Sequence, residues 1–187
     1  MSKQFADLGI QESIIKALDG LKIVVPTEIQ QKAIPLLLSN TDVVGLAKTG
    51  TGKTAAFGLP LLQLIDSKTP NIQAVILVPT RELGHQIFSN LEAFAKYLPE
   101  VSIAETCGGI PIKPQIERLT SPTHIVVATP GRLIDLIQRK AINLKETQFL
   151  VLDEADEMVS ILKESLDEII AELPKNRRTF LFSATMP

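Results

Sequence analysis

Apolar residues gather in six short runs: Asp42–Leu46, Gln73–Val78, Val101–Cys107, His124–Ala128, Phe149–Asp153 and Thr179–Ser183. The runs are rich in Val, Ile and Leu and mostly do not alternate with polar residues. Strands buried on both faces read this way. The segments between them carry a helical period, which predicts helices over Lys53–Ile65, Glu82–Leu98 and Arg132–Gln138. Two more helices are expected before the first strand. One covers Glu12–Leu18 with Gly20 as its C-cap, and the other covers Glu28–Leu38 after Pro26-Thr27. Strands alternating with helices predict an α/β fold, a mostly parallel central sheet with helices on both faces. In such sheets ligands bind beyond the carboxyl ends of the strands, where helix N-termini present free N–H groups. Chemistry-bearing residues are therefore expected just after strands.

Composition narrows the class. The chain has 187 residues, of which 45% are hydrophobic and 21% charged, as in one soluble globular domain. Disordered and collagen-like classes are excluded, and no apolar run is long enough to span a bilayer. The N-terminus lacks a basic-then-apolar signal pattern. The single cysteine, Cys107, cannot form an internal disulfide, which fits a reducing, cytoplasmic setting. A net charge of −2 excludes a domain-wide basic footprint, so any nucleic acid must be gripped locally. With 4% aromatics and no Trp, a base-stacking platform is not expected.

The first strand runs into Ala47-Lys48-Thr49-Gly50-Thr51-Gly52-Lys53-Thr54 and then a helix. This is the phosphate-loop pattern, with Ala47 at the usual first glycine. Gly50 and Gly52 let the backbone turn its N–H groups onto a phosphate. Lys53 brings a point charge to the β- and γ-phosphates, and the Thr54 hydroxyl can coordinate Mg²⁺. The fifth strand ends in Asp153-Glu154-Ala155-Asp156. Acids at a helix start also satisfy the helix dipole. Together with a phosphate loop they suit hydrolysis, Asp153 holding the metal and Glu154 deprotonating the attacking water.

Those four residues spell D-E-A-D, and over essentially its whole length the chain resembles the N-terminal RecA-like domain of a DEAD-box RNA helicase. The resemblance implies ATP and Mg²⁺ as cofactors, RNA as partner and catalytic roles for Lys53, Asp153 and Glu154. It places residues 1–40, with a Q-motif-like segment, in one domain with an ATP-binding core at 41–187. Pro26-Thr27-Glu28-Ile29-Gln30 resembles the Q motif, in which the Gln30 amide would read the adenine edge. Thr27 and Gln30 have equally the form of a capping box, and the residues alone leave both readings open. Phe5 fits the family's isolated upstream aromatic, whereas Ile23 stands where an aromatic is frequent.

Three further strand ends resemble the family's RNA-contacting motifs: Thr80-Arg81-Glu82, Gly108-Gly109 and Thr129-Pro130-Gly131-Arg132. Helix N-termini, hydroxyls and arginines can grip a phosphate backbone without reading sequence. The same residues serve as ordinary caps and turns, with Thr80 and Thr129 at N-cap and Pro130 at N1. Gly84, inside a predicted helix, has no role in this scheme. The final strand ends in Ser183-Ala184-Thr185, which resembles the motif whose hydroxyls bond the last acid, here Asp156, and couple nucleotide state to RNA. The segment Glu157–Ile161 departs from the family pattern, which puts the local helix geometry in question. The second RecA-like domain of such helicases, with its arginine finger, is not in this sequence. The expectation is a monomeric domain that binds nucleotide with negligible RNA-stimulated turnover. Two other readings share part of this pattern. Another P-loop ATPase, such as a DNA translocase, would not need Gln30 or the Thr129–Arg132 turn. A silent RNA-binding scaffold would not need Lys53 or Glu154.

Overall fold

The computed structural model describes residues 4–39, 41–48 and 50–185. Thr49, one of the expected phosphate-loop residues, lies outside the described residues. A short 3-10 turn at Ala6–Leu8 precedes α1 (Glu12–Gly20) and α2 (Glu28–Leu38). Then come β1 (Val43–Leu46), α3 (Lys53–Leu64), β2 (Ala74–Leu77), α4 (Arg81–Phe94) and β3 (Ile103–Thr106). After these follow α5 (Ile112–Leu119), β4 (Ile125–Ala128), α6 (Pro130–Gln138), β5 (Phe149–Asp153), α7 (Ala155–Glu172) and β6 (Arg178–Ser183).

The six strands form one sheet in the order β1-β6-β5-β2-β4-β3, and every pairing is parallel. All the expected strands are present: β1 and β4 are shorter by one residue, β2 by two and β3 by three, β5 has the expected bounds, and β6 starts one residue earlier. Successive side chains of the inner strands β5, β2 and β4 enter opposite cores, whereas the edge strand β1 leaves Val44 and Leu46 exposed. Ala74, Ile76 and Val78 meet Phe57, Ile87 and Leu91 on the face that carries α1–α4. Val75, Leu77, Leu150 and Leu152 meet Leu133, Met158 and Ile169 of α6 and α7 on the other. Burial on both faces explains why the strands read as continuous apolar runs.

Helix ends depart from expectation for local reasons. Gly20 is the last residue of α1, not its C-cap. The chain leaves α1 through bonds from the Lys22 N–H to the Asp19 carbonyl and from the Ile23 N–H to the Leu18 carbonyl. This is a Schellman ending, and Lys22 (φ 59°) takes the left-handed position that glycine usually fills. Helix α4 stops at Phe94, short of Leu98, because Pro99 disfavours helix in the residue before it and the chain turns over 95–97. In α7, Leu162 (φ −123°, ψ 23°) marks a kink. Just before it the Ser160 hydroxyl donates to the Glu157 carbonyl, a back-bond that bends helices. The altered segment after Asp156 thus surfaces as a bent helix.

Candidate functional site

The carboxyl ends of the strands lie in one row, and sheet order divides it. The loops after β1, β6 and β5 carry the phosphate loop, Ser183–Thr185 and the acidic pair. Those after β2, β4 and β3 carry Thr80–Glu82, Thr129–Arg132 and Gly108–Gly109.

In the first half, Gly50 and Gly52 adopt φ of 83° and 92°, and α3 begins at Lys53. A Cβ on Gly52 would collide with Gln30 Nε2 and stand 3.1 Å from Thr27 Oγ1, so the loop is pressed against the start of α2. Gln30 is 3% exposed. Its Oε1 accepts from the Thr27 N–H at 2.9 Å and its Nε2 donates to the Gly52 carbonyl at 3.1 Å. The capping geometry is therefore present, and the same amide ties α2 to the phosphate loop. One amide hydrogen and one lone pair are left over. The Thr51 hydroxyl donates to the Lys48 carbonyl at 2.7 Å, and the Ala47 N–H donates to the Ser183 carbonyl at 3.0 Å.

Lys53 is only 5% exposed and lies between both acids, with Nζ 2.8 Å from Glu154 Oε1 and 3.3 Å from Asp153 Oδ1. Burial works against its ammonium, but the Glu154 hydrogen bond and the two carboxylate charges outweigh it and hold the pKa above the ordinary lysine value. Asp153 is 2% exposed. Burial is the main force raising its pKa, Lys53 opposes it, and the Glu154 charge adds to the rise. Glu154 takes φ 57°, ψ 48°, a left-handed conformation costly for a side-chain-bearing residue, as the N-cap of α7. Together with Ile23, Gln30, Gly52 and Thr54, these three residues line a cavity of ≈ 420 Å³. A second cavity of ≈ 450 Å³, which shares Gly50 with the first, is lined by Thr27, Ile29, Leu46, Ala47 and Thr51. Phe5 lines neither; it is 3% exposed, in the core with Leu8 and Leu37.

Asp156 meets the end of β6. Its Oδ2 accepts from the Thr185 hydroxyl at 2.7 Å and from the Thr185 N–H at 3.1 Å. The Ser183 hydroxyl accepts from the Asp156 N–H at 3.3 Å and donates to the Thr185 carbonyl. The Thr185 hydroxyl first and the neighbouring Ser183 hydroxyl second lower the Asp156 pKa to about 2.

In the second half, Thr80 caps α4 by accepting from the Leu83 N–H, and Arg81 pairs with Glu82 at 3.0 Å. Arg81 also donates to the Gly109 carbonyl at 3.4 Å, and the Gly108 N–H donates to Thr129 Oγ1 at 3.0 Å. Arg132 donates to Gln115 Oε1 at 2.6 Å and to the Ile110 carbonyl at 2.7 Å. The three loops are thus joined by side-chain bonds. Gly84 gains a reason: a Cβ there would collide with Cys107 Sγ and stand 3.3 Å from Val78 Cγ2. Burial, aided by the Glu105 charge, pushes the Cys107 thiol up to about 12, so it is an inert filler. Sequence reasoning missed Gln115 because α5 was not among the elements it named.

Residues 27–187 match the family model described as DEAD/DEAH box helicase. The chain belongs to the DEAD/DEAH box helicase family. It is 46% identical over 184 residues to "ATP-dependent RNA helicase DeaD" of Haemophilus influenzae, covering 98% of this chain and 30% of that protein. It is 45% identical over 185 residues to "DEAD-box ATP-dependent RNA helicase CshA" of Streptococcus pneumoniae, covering 98% and 35%. Among solved structures, a DEAD box protein from Methanococcus jannaschii superposes with a TM-score of 0.90 at 39% identity, over 98% of this chain and 50% of that one. The RecA-like sheet expected of the family is present. The chain spans about a third of the length of these two helicase relatives. Among the described residues, no helix is long and apolar enough to cross a membrane.

Proposed function

We propose that this DEAD/DEAH box domain is the ATP-binding half of an ATP-dependent RNA helicase that remodels RNA when joined to a second RecA-like domain. The observation that carries the proposal is the buried Lys53–Asp153–Glu154 cluster beside a glycine-turned helix N-terminus. Lys53 serves as a resident countercharge for the two acids. Turning toward a β- or γ-phosphate oxygen, it would let Asp153 hold a cation, with Glu154 placed to take a proton from water. The donor set suits Mg²⁺, which keeps most of its waters and needs few protein oxygens; Thr54 and Asp153 would hold it. Among the described residues no cluster of three or more acids, His or Cys competes for a metal. When bound, Mg-ATP supplies the phosphoryl group to be transferred.

Phosphate contacts fall to Ala47, Lys48, Thr49, Gly50, Thr51, Gly52 and Thr54. Thr27 and Gln30 guard the adenine side, where Gln30 would turn its remaining donor and acceptor toward the base. Phe5 supports that side from within the core. Thr80, Arg81, Glu82, Gly108, Gly109, Thr129, Gly131 and Arg132 form the edge along which RNA backbone would lie. Asp156, Ser183 and Thr185 tie the ends of β5 and β6 together, so that a shift at the acidic motif would be felt at the end of β6. A monomeric domain in the cytoplasm is the setting this scheme suits. The test is Glu154→Gln in the full-length protein. RNA and ATP binding should persist while turnover falls by at least ~100-fold, the scale of a lost general base. Normal turnover would remove Glu154 as the base.

A further inference from the structure

Gln115 lies outside every motif of the nucleotide and RNA scheme, yet it is a 5% exposed polar side chain facing the row of strand ends. Its Nε2 donates to the Cys107 carbonyl at 3.0 Å, and its Oε1 accepts from Arg132 at 2.6 Å. Arg132 in turn donates to the Ile110 carbonyl at 2.7 Å. The turn from Cys107 to Ile110 is therefore held at both ends, with the Gly108 N–H fixed between them by Thr129. A planar amide that donates on one side and accepts on the other is what this place needs. A carboxylate would set its charge against the Cys107 carbonyl, and an aliphatic chain would leave the buried Arg132 bond unmade.

We propose that Gln115 is a positioning residue that locks Arg132 and the Gly108–Gly109 turn into one preformed RNA-gripping edge. The inference rests on the RNA reading of that edge given above. Two of the five guanidinium N–H groups of Arg132 are spent inward, on Gln115 and Ile110. The side chain is half-buried, so its remaining face meets solvent at a fixed orientation. Gln115 adds no contact to RNA; it removes the ordering that RNA would otherwise have to impose on the turn and the arginine.

The test uses the whole 187-residue chain with Gln115→Met, which keeps the volume and removes both bonds. A labelled single-stranded oligouridylate titrated by anisotropy reports RNA affinity, and calorimetry with Mg-ADP reports the nucleotide site. RNA binding should weaken about tenfold, the scale of a lost hydrogen bond to a charged group, with ADP affinity within about twofold. Gln115→Glu keeps the acceptor for Arg132 but sets a carboxylate against the Cys107 carbonyl, so it should recover only part of the loss, binding RNA more tightly than the Met variant and more weakly than the parent. A residue that merely supported the fold would move both ligands together. Should the Met variant fail to fold, Gln115→Asn, one methylene short of both partners, carries the same expectation. Unchanged RNA affinity, a parallel loss of ADP binding, or a Glu variant as weak as the Met variant would overturn the assignment. A parent chain that binds Mg-ADP but no RNA would instead overturn the RNA reading of the edge, and the inference with it.

Discussion

Replacing Lys53 by Met tests the electrostatics of the site without any ligand. The side chain keeps its length but loses its charge. It leaves Asp153, 2% exposed, and Glu154, with a side chain 16% exposed, side by side without their shared cation. Removing one partner of a buried ion pair costs about 3–5 kcal/mol, and the partial exposure of Glu154 points to the lower end, about 3 kcal/mol. At roughly 2–4 °C per kcal/mol for a chain of this size, the melting temperature should fall by roughly 6–12 °C. The loss should depend on pH with a definite sign. Burial and the Glu154 charge already raise the Asp153 pKa, and the variant removes the Lys53 charge that opposes them. The folded-state value then stands well above the unfolded value of about 3.9. A group of this kind contributes stability below its unfolded pKa and loses it as pH rises through its folded pKa. The variant should therefore be closer to the parent at pH 5 than at pH 7.5. Urea unfolding of both proteins at the two pH values measures this directly. A difference below about 1 kcal/mol at pH 7.5, or one that does not change with pH, would refute the reasoning.

The Asp156 carboxyl, at about 2, should climb toward the ordinary aspartate range in Thr185→Val, because the Thr185 hydroxyl is the first cause of the depression. Carboxyl-carbon NMR titration reads this, and an unmoved value would contradict the clamp. Because the folded pKa is depressed, the clamp's contribution is present above the unfolded value of about 3.9 and is lost as pH falls through the folded value of about 2. Gly84→Ala should destabilise the chain: overpacking against Cys107 costs about 1–3 kcal/mol and exceeds the ~1 kcal/mol helix gain. In a Cys107→Ala background the same change should turn favourable, with a coupling of at least about 1 kcal/mol in a double-mutant cycle; additive effects would contradict the contact.

The strands and most helices were legible because a sheet buried on both faces writes itself as apolar runs. The placement of chemistry after the strands followed from the same topology. Gln30 shows the limit of that reading. Capping and phosphate-loop contact turn out to be carried by one amide, and sequence spacing offered only a choice between uses. Gly84 looked like a weak point in a helix, and only the approach of Cys107, just beyond the end of β3, explains it. Gln115 was hidden for a similar reason. Its partners, Cys107 and Arg132, are brought together by the β2-β4-β3 side of the sheet, and a lone glutamine on a short polar helix gives no local sign of them. The left-handed Lys22 and Glu154 were equally invisible, since neither is a residue that announces a positive φ.

The central claim is that the cavity beside Lys53 and Gln30 takes an adenine nucleotide. Calorimetric titration of the chain with ADP and with GDP, each with Mg²⁺, tests it most directly. The account predicts saturable ADP binding with GDP at least about tenfold weaker, because the donor and acceptor that Gln30 has left match adenine N6 and N7 and mismatch guanine. Equal affinity for both would contradict the role of Gln30, and binding of neither would contradict the nucleotide site itself.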